Sequence, residues 1–364
     1  MAQRRVTIDD IAREAQASPT TVSLVLRDKP GISSETRQRV LAVARSLGYQ
    51  HRRQVRPSST TEPINVGLVV RANERDGEAG LPPINPFYSW VVAGIESAAR
   101  AGSINLLYAS LTVDAANRHL HLPMHLLQQE LDGVLLVGAF RPDTVEAITV
   151  SRSCPIVMVD GRSGVPGMDA ITTDNVGGAM VAVRHVFARG HRQIAFLGPA
   201  EGTNPNFDER REGYRAVLSE YGLEPVELAV EGDRVEDAID ELTDGRTGVT
   251  ALFAANDRFA LSAIAAIERR GLRVPTDFSV MGFDNIEVRN GAEQILTTMA
   301  VDKTSLGRLA VETLRYRIAW PDASEITLSL RPRLVKRTSV GSGPESDRVL
   351  TGVIQEASSV AAGQ

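Results

Sequence analysis

The sequence predicts a small all-α head joined to an α/β body of two parallel-sheet lobes, and three observations carry that reading. Charge divides along the chain: residues 1–61 hold eleven Arg or Lys against five Asp or Glu, and the remaining 303 hold 29 against 40. A head of +6 therefore precedes a body of −11, which the net charge of −5 conceals. Apolar residues recur at helical spacing up to Leu47; from Ile64 they gather into short continuous runs separated by helix-like stretches. At 364 residues, 43% of them hydrophobic, the chain has material for two to three domains with their own cores. The single Cys154 permits no intramolecular disulfide, as expected in a reducing compartment. No apolar run approaches the ~18 residues that span a bilayer. MAQRRVTIDDIAREA lacks the apolar stretch and cleavage site of a secretory signal, so a cytoplasmic chain without membrane contact is expected.

In the head, Thr7 can cap a helix whose Ile8, Ile11, Ala12 and Ala15 form one apolar stripe. Gln16-Ala17 read as a tight turn. Ser18 then caps a second helix with Pro19 at its first position, where the missing N–H costs nothing, and with Val22, Val25 and Leu26 as its buried face. Ser33 caps a third, buried through Val40, Leu41, Ala44 and Leu47 and ended by Gly48. Two short helices across a brief turn, backed by a third, form a helix-turn-helix. Short polar side chains at the start of the second helix suit base edges and phosphates, and the positive charge suits a polyanion. A three-helix capping domain is the alternative on spacing alone.

The body carries strand-like runs at INVGLVV (64–70), INLLYA (104–109), GVLLVGA (133–139), IVMVD (156–160), IAFLG (194–198), ALFA (251–254) and FSVMGF (278–283). Helices are expected at Phe87–Ala101, Val176–Arg189, Glu209–Tyr221, Asp257–Arg270 and Lys303–Ile318. The alternation restarts near residue 174, which implies two doubly wound lobes. Open parallel sheets bind ligands beyond the carboxyl ends of their strands. Asp160, Asn256-Asp257 and Asp284 stand there, and Arg210 opens a helix after the loop GPAEGTNPNFDE. Carboxylates accept from vicinal hydroxyls and a guanidinium donates to oxygens, a set suited to a sugar or polyol. Asp and Asn at strand ends also serve as turn and cap residues, and Asp257 is read as a candidate helix cap.

Val6–Tyr49 resembles the DNA-binding head of the LacI/GalR transcriptional repressors, through S-P-x-T-V-S, G-I-S…T-R-x-R-V and L-G-Y. The likeness continues, more loosely, to about residue 338 through NPFY (85–88), DNVGGA (174–179), GHRQIAFLG (190–198), RREGY (210–214), FAAND (253–257) and VPTDFSVMGFDN (274–285). It implies a recognition helix in the major groove, a homodimer (a tetramer left open) on a near-palindromic operator, and a periplasmic-binding-protein-like effector domain. Pro19, Thr20 and Leu24 fall at base-reading places, and Thr7, Thr21, Ser23 and Arg27 at the DNA backbone. Leu24 stands where members often carry Arg; it offers apolar contact alone, for instance to a thymine methyl. The resemblance assigns effector contact to Phe87, Asp160, Arg210, Asn256 and Asp284, with Asn204 and Asn206 as selecting loop residues. Stacking on a sugar ring or base is open to Phe87 or Tyr88. Gly161, where nucleobase-binding relatives tend to place an aromatic residue, favours a sugar over a purine.

The resulting organisation is a helix-turn-helix domain at 1–49, a hinge at 50–63, a two-lobed effector-binding and dimerisation domain at 64–340, and a disordered tail at 341–364. The expected function is a repressor of carbohydrate-metabolism genes, released from double-stranded operator DNA by a small sugar or sugar derivative. A stand-alone sugar-binding protein or a sugar-processing enzyme with an accessory head is the alternative. No GxGxxG, Walker A, HExxH or GxSxG occurs, so no catalytic residue and no cofactor is assigned. His119, His121 and His125 in HLHLPMH are read as a helix start rather than a metal site, because Pro123 interrupts their spacing. The charged stretch Arg71–Leu81 has no assigned role.

The linker QHRRQVRPSSTTEP (50–63) departs from the family pattern. There the family forms a hinge helix whose leucine wedges into the minor groove. Here Ser58 takes the wedge place behind Pro57, and proline costs a helix interior roughly 3 kcal/mol. Val55 as a displaced wedge is one reading. Arg52, Arg53 and Arg56 as charged contacts in or across the minor groove is the preferred one. Arg52→Ala/Arg53→Ala is therefore expected to weaken operator binding and to reduce the slope of log K against log salt by about 2. Val55→Ala is expected to do little; an unchanged slope in the double variant would count against the arginines.

Overall fold

A computed structural model describes residues 7–26, 32–47, 63–73, 86–114, 117–127, 129–150, 154–162, 165, 167–230, 234–243, 248–286 and 295–344. Arg27, the hinge residues Arg52, Arg53, Val55 and Arg56, most of the 71–81 stretch and the tail from 345 lie outside them. The chain divides into two compact units, Met1–Thr61 and Glu62–Gln364.

The head unit contains α1 (Ile8–Glu14), α2 (Pro19–Leu26) and α3 (Ser34–Ser46). Thr7 closes a capping box with Asp10, accepting from its N–H at 3.3 Å and donating its own to the carboxylate at 2.9 Å. The turn into α2 passes through Gln16 at φ 49, a left-handed step that reverses the chain in few residues. Ser18 and Ser33 cap α2 and α3 by accepting from the N–H groups of Thr21 and Thr36. Ile11, Ala12, Ala15, Val22, Val25, Val40 and Ala44 form the core. Arg39 Nε donates to the Ala15 carbonyl at 3.1 Å, satisfying the end of α1 from α3.

The first lobe of the body has the strand order β11-β5-β4-β3-β1-β2, all parallel. In chain order these are β1 (Ile64–Asn73), β2 (Ile104–Val113), β3 (Gly133–Val137), β4 (Ile156–Val159), β5 (Asp169–Thr173) and β11 (Thr327–Leu330). Its helices are α4 (Pro86–Ala101), α5 (Met124–Leu127) and α6 (Pro142–Val150). The second lobe is ordered β12-β10-β9-β8-β6-β7: β6 (Ile194–Gly198), β7 (Val226–Ala229), β8 (Ala251–Ala254), β9 (Ser279–Asp284), β10 (Thr297–Ala300) and β12 (Arg333–Val335). Only β12 runs antiparallel among the paired strands described. Here the helices are α7 (Asn175–Ala188), α8 (Pro205–Glu220), α9 (Val235–Thr243) and α10 (Asp257–Arg269). Strands β3, β4, β6, β8 and β9 are buried throughout, which is why they read as unbroken apolar runs.

The long helix α11 (Lys303–Ala319) follows a strand of the second lobe yet packs on α4, β3, β4 and β5 of the first. The chain thus passes between lobes three times, after β5, β10 and β11. A buried ion pair, Arg317 to Asp169 at 2.7 Å, ties the end of α11 to the start of β5. The sequence reading placed no strand at β5, β7, β10, β11 or β12; these are short, and DAITT and TTMA are too polar to stand out. It also began α8 too late. Asn204 caps that helix with Pro205 in its first turn, so Arg210 lies in the second turn rather than at the opening. Gly341 and Gly343, assigned to the tail, are held by hydrogen bonds to Ser279 Oγ and the Arg189 carbonyl.

Two glycines set how closely α11 approaches α4. A Cβ on Gly307 would stand 2.1 Å from the Val91 carbonyl oxygen, and one on Gly94 2.2 Å from that of Thr304. In an open helix interior Gly→Ala stabilises by up to ~1 kcal/mol. Here the collision is with backbone, which cannot rotate away, so Gly307→Ala is expected to destabilise the chain by about 2 kcal/mol in urea unfolding. A stabilised variant would show that the two helices are free to separate.

Candidate functional site

On the head, Pro19 and Thr20 are exposed on the first turn of α2 and Leu24 follows one turn later, half-buried. Thr20 and Leu24, four apart, share a helix face. The Thr21 hydroxyl lies 2.8 Å from that of Ser18 within the cap, and Ser23 is half-buried. Exposed Thr7 donates its hydroxyl to Asp10 at 2.8 Å, and must turn it away to donate to a phosphate.

In the body, the carboxyl ends of β4, β8 and β9 and the start of α8 bring the expected side chains to one seam between the lobes. Asp160 follows β4 in a left-handed conformation, φ 59, and is buried. Its carboxylate accepts from Asn206 Nδ2 at 3.1 Å and Thr173 Oγ1 at 3.4 Å, with the Tyr88 side chain near enough to act on its charge. Asn206 Nδ2 also donates to the Asp160 carbonyl at 3.0 Å. One amide of the second lobe therefore grips both acceptors of a residue in the first. Asn204 supports it by accepting the Asn206 N–H at 3.0 Å. Beside them, Arg162 and Glu209 pair across the same seam at 3.4 Å.

Arg210 is the centre of the second lobe's face and is 2% exposed. It donates through Nε to Asn175 Oδ1 at 2.9 Å and through Nη1 to the Ala255 carbonyl at 2.7 Å, and pairs through Nη2 with Asp284 at 2.9 Å. Its plane lies 3.8 Å over the Phe283 ring. Asn175 completes the arrangement by donating to Glu209 at 2.9 Å. Asn256 caps α10, accepting from Phe259 N–H at 3.0 Å, so the cap belongs to Asn256 and not to Asp257 as the sequence suggested. Asp257 instead points inward, accepting from Thr298 Oγ1 at 2.5 Å and from Ile286 N–H at 2.9 Å.

Phe87 is buried in α4, edge-on to Tyr88 with centroids 5.3 Å apart. The hydroxyl that reaches the polar cluster is that of Tyr88. Gly161 has a packing reason: a Cβ there would stand 2.7 Å from the Gly138 carbonyl oxygen, so its missing side chain says nothing by itself about the ligand. Sequence reasoning named Tyr88 only as a stacking alternative to Phe87, and it missed Asn175, Glu209 and Lys303. It also missed Arg71, whose Nε donates to buried Asn117 at 2.9 Å while its stem lies against Gly138. DNVGGA and NPFY contained Asn175 and Tyr88, but nothing local marked which residue of each motif turns to the seam.

Burial dominates the electrostatics. It pushes Asp160 up to about 7, with Arg210 pulling back and Asp284 adding to the rise. Asp257 is likewise pushed up to about 7, by burial and then by Asp284. Asp284 itself is raised by burial against the opposing pull of Arg210 and Lys303. The carboxylates, amides and guanidinium gathered here can accept from and donate to hydroxyls. Among the described residues no group of three His, Cys, Asp or Glu could hold a metal ion, and His119 faces Thr144 at 2.9 Å. No described helix is long and apolar enough to cross a membrane.

Residues 7–51 match the family model for bacterial regulatory proteins of the lacI family, and residues 183–340 that for a periplasmic binding protein-like domain. The ribose operon repressor of Haemophilus influenzae is 32% identical over 342 residues, 92% of this chain and 98% of its own. The HTH-type transcriptional repressor PurR of Mannheimia succiniciproducens is 31% identical over 340 residues, with the same two coverages. The chain belongs to the LacI family. It is a DNA-binding transcriptional regulator and not an enzyme. Among solved structures, the transcriptional regulator CelR in complex with cellobiose superposes with a TM-score of 0.65 at 27% identity, over 92% of this chain and all of that one.

The raised carboxylates have a consequence for stability. Between the ordinary carboxylate range and about pH 7 the folded state keeps a proton on Asp160 that the unfolded chain gives up. Stability from this group therefore falls as pH rises through that window, and its full cost stands above about 7. His185 and His191, lowered by burial, act oppositely, losing stability as pH drops below their ordinary range. Comparison of Asp160→Asn with the parent isolates the carboxylate. The variant's melting temperature is expected to gain on the parent from pH 5 to about pH 7 and to hold that gain above it, whereas parallel curves throughout would contradict it.

Proposed function

We propose that this regulator is a cytoplasmic homodimer that represses carbohydrate-metabolism genes from a palindromic operator and is released by a polyhydroxylated effector bound at the lobe seam. The observation that carries this reading is the Asp160–Asn206 contact, in which polar groups of both lobes satisfy one another directly. A sugar offering hydroxyls to both sides substitutes for that contact and changes the preferred lobe angle, the differential interaction that coupling requires. The linker at 50–63 passes the change to the heads. Pro19, Thr20 and Leu24 read bases, while Thr7, Thr21, Ser23 and Arg27 set register on phosphates. Phe87, Asp160, Asn204, Asn206, Arg210, Asn256 and Asp284 form the effector site. The ribose and cellobiose named for relatives support a sugar; with Phe87 and Tyr88 both buried in α4, neither stacking candidate offers an exposed aromatic face for a purine.

Fluorescence anisotropy on a palindromic fragment from upstream of the chain's own gene tests both halves. Salt-sensitive, palindrome-dependent binding is expected, relieved at least tenfold by one of a set of pentoses, hexoses and disaccharides that also raises the melting temperature. Asn206→Ala is expected to keep the operator and lose the sugar response. Absence of palindrome dependence would overturn the palindromic operator, and a sugar that tightens operator binding would overturn release.

A further inference from the structure

Of the 40 basic residues in the chain only three are lysines, at 29, 303 and 336, so a lysine at a buried position stands out. Lys303 is the first residue of α11, where the chain passes from the second lobe to the first, and it is 9% exposed. Its ammonium donates to the carbonyls of Asp284 at 2.6 Å, Asn285 at 3.1 Å and Val301 at 3.3 Å. Three acceptors around one point suit the compact three-donor head of lysine; the flat fork of arginine does not fit them. The carboxylates of Asp284 and Asp257 offset its charge, and the Phe87 ring lies 5.7 Å away.

The gripped turn is shaped for that grip. Asp284 and Asn285 both hold positive φ, 108 and 51, a strained pairing for non-glycine residues. Asp257 holds the next N–H, that of Ile286, and Arg337 Nη2 donates to Asn285 Oδ1 at 2.9 Å. The same turn presents the Asp284 carboxylate to Arg210. On the other side, the Gly307 and Gly94 contacts fasten α11 to α4, which carries Tyr88 toward Asp160.

We propose that Lys303 is the hinge clamp of the body, holding the Asp284–Asn285 turn of one lobe to the first residue of the other lobe's helix and so setting the angle between them. The clamp follows from these contacts alone. Its consequence, that loosening it uncouples effector from operator, rests on the regulatory reading above.

The test uses the full chain without ligand or DNA, so its failure is distinct from failure of that reading. In a Cys154→Ser background, spin labels at the exposed positions Glu146 and Glu268 report the distance between lobes. Labels at Glu96 and Glu146 report within the first lobe, and labelled chains are diluted with unlabelled ones to suppress distances between subunits. The parent is expected to give a single narrow interlobe distribution. Lys303→Met is expected to lose it, with a longer population appearing while the intralobe distance stays unchanged. A folded Lys303→Met chain with the parent's interlobe distribution would overturn the clamp. If that variant does not fold, acetylation of the parent decides. Lys303 is then expected to label at least tenfold more slowly than exposed Lys336, and equal rates would overturn the proposal.

Discussion

A guanidinium withdrawn from water destabilises a fold by several kcal/mol unless its donors and its charge are met in place. Arg210 is met from three separate elements: the residue that opens α7, the end of β8 and the end of β9. Each contact has a structural effect. Asn175 fixes the first passage between lobes, Ala255 fixes where β8 turns into α10, and Asp284 fixes the exit of β9. The face proposed for the effector is therefore built by satisfying one cation.

That arrangement leaves the site self-satisfied. Asp160 is occupied by Asn206 and Thr173, Asn204 by the Asn206 backbone, and Asn256 by the cap of α10. A ligand has to exchange these contacts for its own, which is a physical basis for coupling binding to lobe angle. The raised carboxylates express the same tension, since burial has taken them from water with only partial compensation by Arg210 and Lys303. In the proposed mechanism α11 supplies the stiffness that turns a local exchange into a movement of lobes, because two backbone contacts at glycine leave no slack between α11 and α4.

Much of this was legible in the sequence, for identifiable reasons. Thr7, Ser18 and Ser33 revealed the head because capping is a contact over two or three residues. Buried strands such as β3, β6 and β9 showed as apolar runs. Asp160, Asn256 and Asp284 were singled out because residues at the carboxyl ends of parallel strands gather on one face. The edge strands β7, β11 and β12, half-exposed and only three or four residues long, left no such trace. Asp257 was misread as a cap because its fate depended on Thr298 and Ile286, which the local sequence could not place beside it.

The division follows the range of the interactions. The sequence by itself determined the head's helices, the alternating body, the family and most polar residues at the strand ends. Periodicity, capping and turn chemistry act over a few residues and leave their mark in order along the chain. The tertiary structure alone decided that α11 returns to the first lobe, that Asn206 closes on Asp160, and that Phe87 packs edge-on to Tyr88 inside α4. It also decided that Lys303 grips the Asp284 turn. These depend on which distant segments share a buried, low-dielectric space, where the partner that satisfies a charge is set by packing and not by its place in the chain.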